Sequence, residues 1–253
     1  MIGEQGARTL VWDGCVNVRD LGGIALEDGG TTRFGAVIRS DNIRALTDDG
    51  WRALERHRVA RIVDLRWPEE MTQDPARDLD VEVVHVSVIG PSLDASRDWL
   101  RTLDDHVDRV DDIADHYAWS YVEFLERNRD RFGQALVAVA DADGPVVIHC
   151  MGGKDRTGLV AALLLRLAGV SLDEIGHDYS QSGPNLAATL ANWLADAPNE
   201  RERRRREKLS GTPAVAMTRV ITEIEDRHGS VTGYLEAAGL QPAQIERLRE
   251  RLR

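Results

Sequence analysis

The sequence predicts an α/β fold: a central, mostly parallel sheet flanked by helices and followed by a helical C-terminal tail. Two observations carry this prediction. Short β-branched runs alternate with segments of helical period as far as Cys150, and everything beyond it reads as helix. No repeat, low-complexity linker or clear break divides the chain, so residues 1–253 are expected to form a single domain.

The expected strands are GAVIRS (35–40), VARIVDLR (59–66), VEVVHVSV (81–88) and PVVIHC (145–150), each bounded by Gly, Pro or charge. Strands that alternate with helices imply a largely parallel sheet. TDDGWRALERH (47–57) reads as a helix: Thr47 stands at a plausible N-cap, acids fill the first turn, and Trp51, Leu54 and His57 share a face. From Leu103 the apolar positions Val107, Val110, Ile113, Tyr117, Tyr121 and Phe124 keep a helical spacing for about six turns. After Cys150 the helical segments are TGLVAALLLRLAGV, SLDEIGHDYSQS, AVAMTRVITEIEDRHGS, VTGYLEAAG and PAQIERLRERLR.

Composition narrows the function. With 253 residues, 42% of them hydrophobic and 30% charged, the chain reads as an ordinary globular protein. A net charge of -11 argues against general affinity for nucleic acid or anionic membranes, which are bound by surplus Lys and Arg. An anionic substrate therefore needs a local positive site. The start MIGEQGARTLVWDG lacks a basic stretch followed by an apolar one, and no run of eighteen apolar residues occurs. Neither signal peptide nor membrane span is expected, and the protein reads as cytoplasmic. The two cysteines, Cys15 and Cys150, lie too far apart for a metal knuckle, and a chain of this size does not call for a disulfide framework. Of 32 basic residues only Lys154 and Lys208 are lysine, and one of them falls in the loop after Cys150.

That loop, VVIHCMGGKDRTG (146–158), carries the chemistry. An apolar strand delivers Cys150 to the sheet's edge, and a helix follows a short turn that contains Gly152 and Gly153. Glycines tolerate the positive φ values that turn successive N–H groups inward, and those amides plus the helix dipole form a nest for a tetrahedral dianion. A thiol at the floor of such a nest ionises more readily. Arg156, in the first helical turn, can fork two phosphate oxygens. Asp155 is unusual, because a carboxylate in a phosphate nest repels the ligand. Protonated, it can instead donate to a leaving oxygen and later activate water; the bland alternative is that it braces the loop by hydrogen bonds.

His149, Cys150, five residues, Arg156 and Thr157 resemble the signature loop of the cysteine-based protein tyrosine phosphatases. The resemblance implies Cys150 as the nucleophile that forms a phosphocysteine, Arg156 as the phosphate clamp, His149 as orienter of the loop, and Thr157 as a hydroxyl serving the thiolate. Met151, Gly152, Gly153 and Lys154 would hold the substrate phosphate. Asp155 just before the arginine resembles myotubularin-like lipid phosphatases, and Lys154 is similar to the lysine of tensin-like ones. Along the chain, NVRDLGG (17–23), IVDLRWPEE (62–70), HCMGGKDRTG (149–158), DYSQS (178–182) and the C-terminal HGSVTGYLEAAGLQ resemble the atypical bacterial tyrosine phosphatases of the mycobacterial PtpB and listerial LipA type. This implies a cysteine-phosphatase-like three-layer fold and activity on phosphotyrosine, with phosphoserine, phosphothreonine and phosphoinositides as further substrates. No metal or cofactor is implied. The implied partner is a phosphorylated protein or a phosphoinositide, with membrane contact only for a lipid. Rival readings are a phosphatase whose main activity is on phosphoinositides and a phosphate-binding module without turnover.

Asp64 and Arg66 stand at a strand's C-terminal end, where ligand sites gather in α/β sheets; both are candidates to line the pocket, and Asp64 equally suits a buried structural bond. WPE (67–69) reads as a turn, with Glu69 as a second candidate acid. Residues 90–130 form either a helical lid or a packed insertion. His106 and His116 do not share a helix face as a metal pair would. RERRRREK (201–208) is a wet helix or a headgroup contact. Cys15 is a small core residue or a thiol that protects Cys150 from over-oxidation.

Overall fold

The computed structural model describes residues 8–72, 74 and 80–253; residues 1–7, on which part of the leader expectation rests, lie outside them. Strands β1 (Arg19–Asp20), β2 (Val37–Ser40), β3 (Arg61–Asp64), β4 (Glu82–His85) and β5 (Val146–His149) form one sheet in the order β1-β2-β5-β3-β4. All neighbours pair in parallel except β1, which runs antiparallel to β2. The four expected strands are present. β1 escapes prediction because two residues carry no period.

The helices are α1 (Asp48–Arg56), α2 (Leu93–Val107), α3 (Ile113–Arg127), α4 (Arg129–Ala140), α5 (Asp155–Ala168), α6 (Leu172–Ser180), α7 (Ser182–Asn185), α8 (Ala187–Ala195), α9 (Glu200–Leu209), α10 (Ala214–His228), α11 (Val231–Ala237) and α12 (Pro242–Leu252). The expected six-turn helix from Leu103 is in fact two. It breaks after Val107, and the Asp112 carboxylate caps α3 by accepting from the Ala114 N–H at 2.9 Å. A side-chain cap of this kind competes with helix continuation, and the apolar spacing does not register it.

The inner strands β2, β3 and β5 are buried on both faces, which makes three layers, while the edge strand β4 is largely exposed. Val37, Val63, Val146 and Ile148 enter one core with α3, α4, α5 and the C-terminal helices. Ile38, Ile62 and Val147 enter the other, built from α1 and the N-terminal segment around Trp12. Val146, Val147 and Ile148 are fully buried, and each side chain contributes about 1.5–3 kcal/mol of burial energy. The central strand β5 is thus a rigid base for the residue that follows it. Among the described residues no helix is long and apolar enough to cross a membrane.

Candidate active site

Cys150 stands at the C-terminal end of β5, between β2 and β3, the edge where α/β sheets place their ligands. From here to Asp155 the chain turns back into α5. Three carbonyls of this turn point into the scaffold. Met151 O accepts from the Asn42 N–H at 2.9 Å, Gly152 O from Asn17 Nδ2 at 2.8 Å, and Gly153 O from Arg39 Nη2 at 2.6 Å. The N–H groups of residues 151–157 find no acceptor among the described residues. A row of outward carbonyls and unpaired amides is the geometry of an anion nest.

Gly153 makes the turn feasible. Its φ is +63°, and a Cβ there would lie 2.5 Å from Ser40 O and 2.7 Å from Asp41 N. Gly152 has no positive φ, so one glycine and not two supplies the left-handed step.

Behind the turn lies a network that sequence reasoning did not assign. Asp178 is 1% exposed and pairs with Arg8, with Arg39 Nη1 at 2.5 Å and with Arg19 Nε at 3.5 Å. Arg19 Nη2 also reaches Asp178 O at 3.0 Å and Ser182 Oγ at 3.2 Å. Burial opposes ionisation of Asp178, yet the guanidinium groups of Arg39, Arg19 and Arg8 hold its carboxyl well below the usual range. Arg39 thus links Asp178 directly to the cysteine loop.

His149 is buried, with Nδ1 3.3 Å from Cys150 O and Nε2 3.5 Å from Asp64 Oδ2. Burial, partly offset by Asp64, pushes its pKa down to about 4, so the ring is neutral at physiological pH. Asp64 and Arg66 do not line the pocket. Arg66 Nε and Nη2 bond Asp64 at 2.9 and 2.6 Å, and Nη1 and Nη2 bond Asp74 at 3.0 and 2.6 Å. Both are buried; burial pushes the Asp64 carboxyl up, but the hydrogen bonds from Arg66 and the fields of His149 and Arg66 together outweigh it and hold its pKa below the ordinary value. An arginine this fully engaged has no free fork for a ligand, which is why the buried alternative for Asp64 prevails.

Lys154 lines the cavity, but its ammonium is engaged within the protein. Its Nζ donates to Tyr117 Oη at 2.9 Å and to Leu209 O at 2.8 Å, and stands 3.6 Å from Asp155. The ammonium joins the loop to α3 and to the end of α9. Asp155 is partly exposed and accepts from the Tyr121 hydroxyl, which also contacts Tyr179 Oη at 2.9 Å. Thr157 Oγ1 is buried and has no partner among the described residues.

Arg156, 8% exposed, pairs with Glu70 through Nη2 at 2.8 Å and Nη1 at 2.5 Å, and its guanidinium lies 5.2 Å from the Trp67 ring centroid. Burial disfavours its charge, but Cys150 and Glu70 more than compensate, so it stays firmly protonated. Glu69, the second candidate acid, turns elsewhere and accepts from the Leu93 N–H at 3.2 Å.

A cavity of about 500 Å³ opens over the loop. Met151, Gly152, Lys154, Asp155 and Arg156 form its polar floor, and Trp67, Leu100, Leu103, Val107, Phe124, Trp193 and Leu209 contribute its apolar wall. The break before α3 folds His116 back onto His106, with their Nδ1 atoms 3.1 Å apart, so the pair meets across two helices. Among the described residues no group of three or more His, Cys, Asp or Glu is placed to hold a metal ion. The arginine run of α9 is not a bare patch: Arg205 pairs with Asp104 and Arg201 with Asp108 at 2.8 Å, which straps α9 to α2. Cys15 packs against the core around Trp12, and burial followed by Asp41 pushes its thiol pKa up, which disfavours a reactive thiolate.

Fold and loop together define an α/β protein whose strand-to-helix turn begins at the buried Cys150, carries unpaired amides and leads into Arg156 on the cavity floor. Residues 10–253 match the tyrosine phosphatase family, and the chain belongs to it. It is therefore an enzyme, a protein-tyrosine phosphatase by family. Among curated relatives, the triple specificity protein phosphatase PtpB of Mycobacterium tuberculosis is 29% identical over 268 residues, covering 93% of this chain and 96% of the relative. A tyrosine-protein phosphatase of Nostoc commune is 29% identical over 228 residues, covering 86% of this chain and 74% of the relative.

Proposed function

We propose that the protein hydrolyses aryl phosphate monoesters, protein phosphotyrosine first among them, through a phosphocysteine intermediate. The observation that carries this reading is the row of unpaired amides at 151–157 around Cys150, with Arg156 at its edge. Three equatorial oxygens of a phosphoryl group need that many donors, aimed beforehand.

In the first step the Cys150 sulfur attacks phosphorus as the bond to the leaving oxygen breaks, and Asp155 gives that oxygen its proton. In the second, Asp155 takes a proton from water, the water oxygen bonds phosphorus, and the P–S bond breaks to release phosphate and thiolate. His149 fixes the loop through the Cys150 carbonyl, and Thr157 offers the departing sulfur a hydroxyl. Tyr121 aims the Asp155 carboxylate. No step calls for a metal or a cofactor.

The cavity wall supports an aromatic substrate. Trp67, Phe124 and Trp193 give a ring apolar surface, whereas a headgroup with a second phosphate would meet Asp104 and Asp155 and a lysine already engaged. The helices of 90–130 form the upper wall, and we read them as a cover that a substrate must pass. The whole chain acts as a single tyrosine-phosphatase-like domain.

Kinetics on p-nitrophenyl phosphate with EDTA, on phosphotyrosine peptides and on phosphoinositide vesicles test this, with Cys150→Ser beside the wild type. Turnover of phosphotyrosine that persists in EDTA and vanishes in Cys150→Ser is expected. Binding without turnover in the wild type would leave a phosphate-binding module, and a preference for the vesicles would make lipid the substrate.

A further inference from the structure

His106 and His116 take no part in the chemistry above. His106 lies on α2 and His116 on α3, and the turn between the helices brings their Nδ1 atoms within 3.1 Å. With nothing between them the pair makes an N–H···N hydrogen bond, one ring donating and the other accepting through its lone pair. Neither ring has another hydrogen bond among the described residues.

The same spacing suits a shared ion. Imidazole nitrogens bind zinc at about 2.0–2.1 Å, so two of them on one ion lie about 2.9 Å apart at a right angle and about 3.3 Å apart at the tetrahedral angle. The observed 3.1 Å falls between these, so an ion needs no movement of the helices. Turning the rings about their Cβ–Cγ bonds directs both lone pairs at the ion. The shared proton then leaves Nδ1 while Nε2 of the same ring takes one up from water, so both rings stay neutral and the site gains the full charge of the ion. His116 is buried but lines the cavity together with Leu103, Asp104 and Val107, and that opening supplies water to the remaining coordination positions. The surrounding stretch favours a cation, with Asp104, Asp105, Asp108, Asp111, Asp112 and Asp115 against Arg109. Arg205, Arg201 and Arg219 offset three of these acids from α9 and α10.

We propose that His106 and His116 form a two-histidine site for a borderline divalent transition ion such as zinc or nickel, which clamps α2 to α3 at the wall of the cavity. Nitrogen ligands suit such ions and not a hard ion such as magnesium. With two protein ligands where structural zinc sites have four, the site suits an ion that comes and goes. No step at Cys150 uses the ion, so the site is independent of the catalytic reading.

Melting curves and tryptophan fluorescence of Cys150→Ser, which has no catalytic thiol to compete for metal, test this with zinc, nickel and magnesium chloride. Zinc and nickel at about a hundredfold excess over Kd should raise the melting temperature by roughly 5–10 °C, and magnesium should not. Trp119 lies beside the His106 ring, their centroids 4.2 Å apart, so paramagnetic nickel should also quench its emission. Trp119→Phe should remove that quenching and keep the thermal shift. His106→Gln and His116→Gln in the same background should each weaken Kd by more than about 10-fold, the scale at which even residues behind the ligands act. A Kd unchanged in either histidine variant would overturn the proposal, as would quenching that persists in Trp119→Phe, because the ion would then sit elsewhere. An equal shift with magnesium, or no shift and no quenching at millimolar zinc and nickel, would overturn it as well. Should the buried His116 variant not fold, the half-buried His106→Gln decides by the same criterion.

Discussion

Replacing Asp178 by Asn tests whether the cysteine loop is held from behind. The substitution preserves shape and removes one buried charge shared by three arginines. Side-chain exposure is 1% for Arg39 and 3% for Arg19, but 24% for Arg8, so two of the three guanidinium groups are left deep in the protein without a counter-charge. Breaking a buried ion pair by removing one partner costs about 3–5 kcal/mol, and the solvated Arg8 adds little. Arg39 also carries the Gly153 carbonyl at 2.6 Å, so its release lets the turn move. A displacement of about 1 Å in a phosphate cup lowers kcat/KM by about 100-fold. Guanidinium unfolding followed by tryptophan fluorescence measures the first effect, and kinetics under conditions where the variant is folded measure the second. Leu248→Ala, in the core under α12 and outside the cavity lining, is the control: it should lose about 2–5 kcal/mol as well and keep its kcat/KM. The reasoning fails if Asp178→Asn loses less than about 1 kcal/mol, or if its kcat/KM matches the control. Acid gives the same test from another side. The native carboxyl sits below its unfolded value, so this stability is present above the unfolded pKa of 3.8 and is lost as pH falls toward the native one. The variant should lack that decline.

Gly153→Ala should abolish activity to below about 1% and destabilise the fold, since a Cβ 2.5 Å from Ser40 O forces the turn outward; wild-type rates would show the turn is not the site. Lys154→Met should leave vanadate inhibition within about 3-fold but lose the charged bonds to Tyr117 and Leu209, for a drop in melting temperature of roughly 4–10 °C. A large loss of vanadate affinity would place the ammonium on the phosphate after all. Burial pushes His149 and His116 from 6.5 down to about 4, His116 with added repulsion from His106. Both depressed values mean stability that is full above pH 6.5 and is lost as pH falls to about 4, at most about 3 kcal/mol for each ring. Unfolding free energies at pH 7, 5.5 and 4.5 should show that decline, and a flat profile would contradict it.

The layers of the fold were legible because the inner strands are buried on both faces. The runs at 35–40, 59–66 and 145–150 are apolar on successive residues, and the helices between them repeat every three or four. What periodicity could not register was a competing local bond. The Asp112 cap splits one regular apolar pattern into α2 and α3, and that split brings His116 to His106 although ten residues separate them. β1 was hidden for a different reason, since an edge pair of residues is placed by its partner strand and not by its own pattern.

Within the site, legibility followed the direction of the backbone. Residues adjacent to the turn could be read because strand, glycine, thiol and arginine occur in one short stretch, and the order of the chain is the order of the parts. Asn17, Arg39 and Asp178 could not be assigned, although NVRD and DYSQS were visible as landmarks, because their task is to hold carbonyls and counter-charges that only the fold assembles. The same limit explains Lys154 and Arg66. A sequence shows that a cation is near a phosphate loop, but which acceptors it faces depends on α3, α9 and Asp74. A cation is available to a substrate only when no buried acceptor reaches it first. By that criterion Arg156, which among the described residues keeps an open edge beside Glu70, is the cation of the cavity floor we propose for the phosphate, while Lys154 and Arg66 are engaged by buried acceptors.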